Sequence, residues 1–506
     1  MPTPSSNPTV LIVTPEVTYL PEGMGNMSNH LTAKAGGLAD VSAALISALF
    51  DQGADVHIAL PDYREIFAAQ TAPLLKDEFR RIRDKMPDER IHLAEDRAFF
   101  YMNTVYSHYG ADNIKIALAF QREVINNIMP RVKPDLIHCN DWMTGLIPAM
   151  ARELEIPCLF TLHNIYTVKK TLADIEDRGI DAASFWRHLF FTRPPHNYEE
   201  TRETNPVDFL VSGVFASHFV NTVSPTFLKE VVDGHHPFVE EPLRQELTNK
   251  WAAECAAGIL NSPDPSFHPT EDPYLAVPYG PKTVMEGKAA NKKHLQQLLG
   301  LVESPDAPLF FWPSRLDRIQ KGSPLMAHIL YDVVSRYWHM PLQIVFVANG
   351  EFQPYLKQIV WDFNLGDRVA VCDFDERLSH IAYGASDFVL MPSAFEPCGL
   401  PQMIGALYGS LPVARDTGGI HDTITQLDIS RDTGNGILFE TFDPQGLSWA
   451  MDRAVDFFNL PPETREAQIA RIMKESLAAF NHSVTARHYI DLYERMLHRP
   501  FINPEF

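Results

Sequence analysis

Cysteine is scarce in this chain of 506 residues, which has only five, at positions 139, 158, 255, 372 and 398. The number is odd, the positions are scattered, and no two cysteines have a Cys-x-x-Cys spacing. This pattern disfavours both a disulfide framework and a zinc site. We therefore expect no metal, and a reducing cytoplasm is the location that fits best.

Basic residues are outnumbered by acidic ones. Lysine and arginine total 43 against 64 aspartate and glutamate residues, which gives a formal net charge of −21. Such a charge repels nucleic acid and anionic membrane surfaces. No apolar run approaches the length that crosses a bilayer, and the N-terminus lacks a basic stretch followed by an apolar one. We expect neither nucleic acid nor a membrane as a partner, and the oligomeric state is left open.

A glycine fingerprint of the type Gly-x-Gly-x-x-Gly follows neither of the two opening strands predicted below. This absence disfavours a dehydrogenase with two nicotinamide-binding domains. What the chain does contain is an alternation of short apolar runs with helix-length segments. The pattern begins with a strand at 10–14 and a helix at 38–50, and it restarts at 308–312. The alternation predicts two α/β domains, each with a parallel sheet.

The domain boundary is predicted from a proline-rich stretch at 262–282 that has little periodicity. We therefore predict an N-terminal domain over 1–262 and a C-terminal domain over 263–482. The terminal segment 483–506 contains an amphipathic helix with one apolar face. We predict that this helix packs back on the first domain.

The first candidate site is a cation with two glycines, Lys34, Gly36 and Gly37, at the start of the first predicted helix. Backbone N–H groups and the helix dipole attract phosphate at such a position, and the lysine adds a positive charge. A flexible glycine turn with a solvated lysine is the structural alternative.

Polar residues at the ends of two further strands form the second candidate site. Asp141 and His163 follow apolar runs that end near 140 and 162. Ligands of open parallel sheets bind beyond the carboxyl ends of the strands, so these residues could hydrogen-bond a sugar. The alternative is that the histidine is purely structural.

A pair of cations in the second domain forms the third candidate site. Arg315 follows the first strand of that domain, and Lys321 lies six residues later, beside Gly322. Such a pair suits a diphosphate group, and a solvated run of charges is the alternative.

The most specific pattern is Pro-Ser-Ala-Phe-Glu-Pro-Cys-Gly-Leu-Pro-Gln at 392–402, followed by Arg-Asp-Thr-Gly-Gly at 415–419. It adds to Lys-Ala-Gly-Gly-Leu-Ala-Asp at 34–40, His-Cys-Asn-Asp-Trp at 138–142 and Thr-Leu-His-Asn at 161–164. In these motifs and their order the chain resembles the glycogen and starch synthases. The resemblance spans residues 34 to 419.

This resemblance implies a GT-B fold, an α/β architecture in which two Rossmann-like parallel-sheet domains face each other across a cleft. It implies a retaining transfer of glucose from ADP-glucose to the non-reducing end of an α-1,4-glucan. The partners would then be the nucleotide sugar and the glucan acceptor. ADP-glucose is a substrate, and no cofactor is implied. The cytoplasm is the expected location, or the plastid in a photosynthetic eukaryote.

The resemblance also implies roles for individual residues. Lys34 with the amides of Gly36 and Gly37, together with Arg315 and Lys321, would contact the donor diphosphate. Asp141, His163 and Asn261 would surround the transferred glucose, and Glu396 would bind its 3- and 4-hydroxyls. The amides of Gly399 and Leu400 would bind the distal phosphate, and Phe374 would stack on the nucleobase. The other residues that would bind the nucleotide sugar are Cys398, Thr417 and Gly418. Among all these residues, the catalytic set would be His163, Asp141, Glu396, Arg315 and Lys321.

Three departures from the family pattern leave alternatives open. Ala35 stands where threonine is usual, the interval from Arg315 to Lys321 is one residue longer than typical, and Ser262 with Pro263 follows Asn261. One alternative is a GT-B transferase that uses UDP-glucose or another acceptor. The other is a weakly active, glucan-binding regulatory protein.

Overall fold

The computed structural model describes residues 7–25, 28–71, 90–107 and 110–502. The chain divides into two compact units, Met1–Asn261 with His482–Phe506, and Ser262–Asn481. The first unit is therefore assembled from two separate stretches of chain. Residues 503–506, which belong to the predicted terminal segment, lie outside the described residues.

A parallel sheet of seven strands forms the centre of the first unit, in the order β3-β2-β1-β4-β5-β8-β9. The strands of this unit are β1 Thr9–Val13, β2 Asp55–Pro61, β3 Ile91–Ala94, β4 Leu136–Asn140, β5 Cys158–Leu162, β6 Lys169–Lys170, β7 Val207–Asp208, β8 Phe219–Thr222 and β9 Ala256–Gly258. The short strands β6 and β7 pair antiparallel outside the main sheet. Between β1 and β4 the direction of strand progression reverses, which is where open α/β sheets bind ligands.

The helices of the first unit follow or connect these strands. They are Gly37–Asp51, Arg64–Thr71, Arg97–Phe100, Gly110–Glu123, Met129–Val132, Ile147–Arg152, Leu172–Glu176, Tyr198–Thr204, Phe209–Ala216, Pro225–Val232, Glu241–Ala252 and His482–Leu497. A π-helical turn, Val124–Ile128, interrupts the helical run after Gly110–Glu123. The central strands are buried along their length because helices cover a parallel sheet on both faces.

The terminal helix His482–Leu497 packs into the core of the first unit through two tyrosines. The hydroxyl of Tyr493 lies 2.8 Å from Nδ1 of His138 in β4. Nδ2 of Asn221 in β8 donates to the hydroxyl of Tyr489 at 2.9 Å. The apolar face of this helix is therefore buried, and its phenol groups give buried polar side chains of the sheet their hydrogen bonds.

The second unit has a parallel sheet of six strands in the order β12-β11-β10-β13-β14-β15. The strands are β10 Leu309–Trp312, β11 Gln343–Val347, β12 Val369–Cys372, β13 Phe388–Met391, β14 Leu411–Arg415 and β15 Ile437–Phe439. The helices are Val284–Leu299, Ser323–Arg336, Gln353–Asp362, Glu376–Ala385, Pro401–Leu407, Gly418–Thr423, Pro444–Phe458 and Pro462–Ala479. Strand progression reverses here between β10 and β13. Two parallel-sheet α/β domains confirm the predicted fold class.

The proline-rich stretch expected to hold or adjoin the linker packs as part of the second unit. Asp272 is fully buried, and its Oδ2 accepts hydrogen bonds from Tyr408 Oη at 2.5 Å and from His380 Nδ1 at 2.7 Å. The hydroxyl of Tyr279 donates to the backbone oxygen of Tyr408 at 2.8 Å. The prolines make the backbone of this stretch irregular, but the hydrogen bonds of Asp272 and Tyr279 connect it to the core of the second unit.

No helix in the described ranges is long and apolar enough to cross a membrane. The cytoplasmic location stays a prediction.

Close contact between Gly287 and Tyr279 generates the first testable prediction. In a helix interior, replacing glycine by alanine ordinarily stabilises by about 1 kcal/mol. At Gly287 an added methyl group would lie 2.4 Å from Cβ of Tyr279 and 2.5 Å from its Cγ. We expect Gly287→Ala to lower the free energy of unfolding instead, by about 1–3 kcal/mol, because the buried ring has to shift. Urea denaturation measures this, and Gly366→Ala, at a turn where nothing lies within 4 Å of an added methyl group, is the control for a glycine-to-alanine change without a clash. Equal stabilities of the two variants would contradict the prediction.

Candidate active site

Asp141 and His163 lie together beyond the carboxyl ends of β4 and β5. Oδ1 of Asp141 accepts the backbone N–H of His163 at 2.8 Å, and Oδ2 accepts Nδ2 of Asn164 at 2.9 Å. Nε2 of His163 lies 2.9 Å from Oδ1 of Asn140, whose own Nδ2 donates to a backbone oxygen of β1. The structure thus brings these two predicted residues into direct contact.

The backbone of Asp141 is strained. Its φ is 56° and its ψ is −178°, close to a region that is essentially reserved for glycine. The hydrogen bonds to its carboxylate hold the residue in this conformation. Residues in such conformations cluster at functional sites, where the surrounding structure holds them in place.

Burial pushes the two pKa values of this pair in opposite directions. Burial raises the pKa of Asp141 to about 7, although the backbone N–H groups of His163 and Asn164 lower it in part and the charge of Glu16 raises it. Burial lowers the pKa of His163 to about 4. Burial therefore favours the uncharged form of both the imidazole and the carboxyl group.

The lysine loop contacts carboxylates of its own unit. Nζ of Lys34 lies 3.1 Å from Oδ1 of Asp40. The backbone N–H groups of Ala35 and Gly36 donate to Oε2 of Glu16 at 2.7 and 3.0 Å. Gly36 directly precedes helix Gly37–Asp51, so a carboxylate lies where the sequence predicted a phosphate. That the Gly36 and Gly37 amides contact a diphosphate stays a prediction.

Glu16 is a site residue that the sequence did not indicate. It is buried, its Oε1 accepts the hydroxyl of Tyr106 at 3.0 Å, and burial raises its pKa. It follows β1 by three residues, at the same edge of the sheet as Asp141. Ligands of open parallel sheets bind beyond the carboxyl ends of the strands, and this rule, which indicated the residues after β4 and β5, could also have indicated Glu16 after β1.

Asn261 is buried at the end of the first unit, and its Oδ1 has no hydrogen-bond partner within the described part of the chain. A buried unpaired amide oxygen costs free energy, so it is a place where a ligand hydroxyl could add a hydrogen bond. The structure gives Asn261 no direct hydrogen bond to Asp141 or His163 among the residues described.

Lys321 and Glu396 form the central pair of the second unit. Nζ of Lys321 lies 2.5 Å from Oε2 of Glu396, and the side chains are only 12% and 6% exposed. The hydroxyl of Ser393 donates to the same oxygen at 3.1 Å. This buried pair lies beyond β10 and β13, at the point where strand progression reverses.

Asp317 organises the loop that carries Lys321. Its Oδ1 accepts the backbone N–H groups of Ile319 at 2.9 Å, Gln320 at 2.6 Å and Lys321 at 3.3 Å. The tight turn accommodates the longer interval after Arg315 and leaves the lysine directed at Glu396. An aspartate two to four residues before its donors is a known turn signal that could have been read from the sequence.

Arg318 points away from this pair. Its Nε lies 3.7 Å from Oε1 of Glu351, and its guanidinium lies 5.9 Å from the centre of the Tyr355 ring. Arg315 is exposed and has no hydrogen-bond or ion-pair partner among the residues that the structure describes. The two predicted cations therefore differ, since Lys321 is paired and Arg315 is open to solvent.

Two glycines let the loops around Glu396 approach closely. A methyl group at Gly322, where φ is +76°, would lie 2.1 Å from the backbone oxygen of Pro392. A methyl group at Gly419 would lie 2.1 Å from the backbone oxygen of Cys398. Only glycine permits these contacts, which explains the Lys-Gly and Thr-Gly-Gly spacings.

The remaining motif residues surround the same loop. Cys398 is buried, and its backbone oxygen accepts Nε2 of Gln402 at 3.0 Å. Gly399 has a φ of +74°, and Leu400 directly precedes helix Pro401–Leu407. Thr417 and Gly418 lie at the start of helix Gly418–Thr423, whose second residue donates its N–H to the backbone oxygen of Glu396 at 2.9 Å. The structure therefore gathers these motif residues in one place.

Phe374 lies just beyond β12 with 57% of its surface exposed. Its N–H donates to Oδ1 of Asn349 at 3.0 Å, and the backbone oxygen of Asn349 accepts the N–H of Leu316 at 3.0 Å. Asn349 thus connects Phe374 to the segment next to Arg315. The open ring is free to stack on a planar group.

Within the described residues, no group of three or more histidine, cysteine, aspartate or glutamate side chains could hold a metal ion. That the reaction needs no metal stays a prediction.

Comparison with known proteins agrees with this geometry. A family described as starch synthase catalytic domain matches residues 9–245, and glycosyl transferases group 1 matches residues 307–456. A glycogen synthase from Moorella thermoacetica is 33% identical over 522 residues, covering 97% of both chains. One from Exiguobacterium sibiricum is 32% identical over 490 residues, covering 91% of this chain and 95% of its own. The chain belongs to the glycogen and starch synthase family. It is therefore a glucosyltransferase, as its motifs indicated.

Solved structures agree as well. The catalytic domain of starch synthase IV from Arabidopsis thaliana, bound to ADP and acarbose, has a TM-score of 0.76 and 26% identity. The match covers 98% of this chain and 100% of that one. Sucrose-phosphate synthase from Thermosynechococcus elongatus has a TM-score of 0.56 at 18% identity and shows the shared fold alone. The GT-B architecture of this synthase-family chain is thus confirmed.

The raised pKa of Asp141 generates the second testable prediction. Its carboxyl has a pKa of about 3.9 in an unfolded chain and about 7 in the folded protein. Between these values the folded state binds more protons, so this residue lowers stability as the pH rises through the window. Asp141→Asn removes that loss. We expect the free energy of unfolding of the variant, relative to the unmodified protein, to rise between pH 5 and pH 8.

Urea denaturation at both pH values measures this difference. Asp491→Asn, at an exposed position of the same unit, controls for the loss of one negative charge. A relative stability of Asp141→Asn that is unchanged or falls over this range would contradict the raised pKa.

Proposed function

We propose that this synthase-family chain transfers glucose from ADP-glucose to the non-reducing end of an α-1,4-glucan, with retention at the anomeric carbon. The observation that carries the proposal is the buried pair of Lys321 and Glu396 beyond β10 and β13. Further support is that the Arabidopsis starch synthase, 26% identical to this chain, is bound to ADP.

The pair fits the charges that develop during glucosyl transfer. When the bond between the anomeric carbon and the diphosphate breaks, negative charge grows on phosphate and positive charge grows on the sugar ring. The ammonium of Lys321 has three N–H donors and uses one on Glu396, so two remain for phosphate oxygens. The exposed guanidinium of Arg315 adds a second cation. Preorganised charge of this kind is the usual means of stabilising a developing anion.

Glu396 is better suited to binding sugar hydroxyls than to covalent attack. One of its oxygens is already held by Lys321 and Ser393, which stabilises the ionised carboxylate and weakens it as a nucleophile. We therefore propose a same-face transfer. The acceptor oxygen bonds to the anomeric carbon as the bond to phosphate breaks, and its proton passes to the departing phosphate oxygen. This step requires neither a metal nor a cofactor.

His163 contributes as a neutral group. Because its Nε2–H donates to Asn140, its Nδ1 carries a lone pair that can accept a hydroxyl of the transferred glucose. A lowered pKa keeps a positive charge away from a ring that becomes positive in the transition state. Asp141 and the unpaired oxygen of Asn261 offer further acceptors.

Rates with two donors test the proposal. Incorporation of labelled glucose into glycogen is measured with ADP-glucose and with UDP-glucose at equal concentrations. We expect ADP-glucose to react faster, and an exo-acting α-1,4-glucosidase to release all of the label. A faster reaction with UDP-glucose would establish the alternative donor. Binding of glycogen without incorporation from either donor would establish the regulatory alternative.

The different surroundings of Lys321 and Arg318 generate a further prediction. Removing one positioned stabiliser of developing charge typically costs about 10²–10³ in rate. We expect Lys321→Ala to lose kcat on that scale while remaining folded and still binding glycogen. Arg318→Ala is the matched control, because its charge lies beside Glu351 instead. If Lys321→Ala keeps a near-normal kcat while Arg318→Ala loses most of it, then Arg318, and not Lys321, is the cation that contacts the diphosphate.

A further inference from the structure

A pocket of about 600 Å³ lies at the opposite edge of the first sheet from Asp141. Pro157 and His218 directly precede β5 and β8, and Cys255 directly precedes β9, so the pocket is at the amino ends of these strands. The lining is completed by Arg152, Ser217, Phe219, Lys250, Arg495, Met496 and His498. None of these residues belongs to the candidate active site.

Five of the ten side chains that line this pocket are basic. Arg152, Lys250 and Arg495 line it together with His218 and His498, and no aspartate or glutamate is among its lining residues. In the part of the chain that the structure describes, the partners of Arg152, Lys250 and Arg495 are backbone oxygens, and none of the three forms a salt bridge to a carboxylate. In a chain with a net charge of −21, such a concentration of unpaired positive charge is unusual.

Backbone oxygens hold all three of these cations in place, and Nη2 of Arg495 donates to the oxygen of Glu254 at 3.4 Å. Nε of Arg152 donates to the oxygen of Ala216 at 2.6 Å, and Nζ of Lys250 donates to the oxygen of Ser217 at 2.5 Å. Each side chain uses one donor in this way and retains others. The cations are therefore preorganised, which lowers the entropy cost of binding an anion.

The cations also repel one another. Burial and the charge of Arg152 lower the pKa of Lys250 to about 8, partly offset by Cys255 and Glu246. Burial, Arg152 and Lys250 together lower the pKa of His218. Glu246, on the same helix as Lys250, is engaged by Asn249. An anion in the pocket would relieve this repulsion.

We propose that this pocket binds a phosphate monoester of a small polar metabolite, such as a hexose phosphate. A phosphate dianion matches the basic side chains of Arg152, Lys250 and Arg495, as in other arginine- and lysine-rich phosphate sites. The volume exceeds what a phosphate group needs and lies in the range of small-molecule sites. Phe219, whose ring centre is 5.3 Å from the Arg495 guanidinium, and Met496 provide an apolar wall for the organic part.

Calorimetric titration of the full chain tests this site, with saturating ADP present throughout to occupy the nucleotide site. The probes are glucose 1-phosphate, inorganic phosphate and glucose. We expect glucose 1-phosphate to bind more tightly than inorganic phosphate, and glucose not to bind. Arg495→Gln should weaken the ester at least about tenfold, since a hydrogen bond to a charged group typically contributes that much. Lys250→Gln should do the same.

Arg487→Gln is the matched control, because Arg487 is exposed on the same helix and does not line the pocket. A second readout is the rate at which Cys255 is alkylated, followed by peptide mass spectrometry. Glucose 1-phosphate should slow alkylation of Cys255, which lines the pocket, and leave the partly buried Cys372 of the second unit unaffected.

Three results would overturn the inference. The first is no binding of glucose 1-phosphate, and the second is equal affinity for the ester and inorganic phosphate, which would indicate recognition of phosphate alone. The third is an equal loss of affinity in Arg487→Gln and Arg495→Gln, which would indicate general attraction to the surface.

Discussion

Parallel pairing of the strands is the constraint on which the sites of this protein depend. Every pairing in the two main sheets is parallel, so all carboxyl ends of a sheet meet at one edge and all amino ends at the other. Residues of the candidate active site follow strands, whereas Pro157, His218 and Cys255 of the basic pocket directly precede them. One topological rule thus separates two kinds of chemistry within the first unit. The same rule places Glu396 beside Lys321, although 75 residues separate them in sequence.

Burial then determines the charge state of each group at the active edge. Asp141 and His163 share one environment, yet desolvation favours the neutral form of both, so one pKa rises and the other falls. Lys321 and Glu396 form a buried ion pair with 2.5 Å between Nζ and Oε2. A paired ion and a neutral imidazole suit a reaction in which phosphate gains negative charge while a sugar ring becomes positive.

The sequence predicted the strands well because each is indicated by a run of apolar residues that are neighbours in the chain. Apolar runs predicted β5 and β14 closely, and the family resemblance singled out the motif residues that the structure gathers around Glu396. The role of Glu16 and the strained backbone of Asp141 were missed, because both depend on contacts between segments far apart in the chain. The prolines around Asp272 indicate an irregular backbone, but the burial of this stretch depends on partners more than 100 residues away, which no local pattern shows.

The terminal helix has a consequence for how the chain folds during synthesis. Its tyrosines supply hydrogen bonds to His138 and Asn221 in the first sheet, but they are made after the whole second unit. Domains usually fold as they leave the ribosome, with the N-terminal one first. Here the second unit has all of its residues while the first still lacks one wall of its core. The later part of the polypeptide can therefore mature before the earlier part, and His138 and Asn221 gain their hydrogen bonds to the two tyrosines only when the last helix arrives.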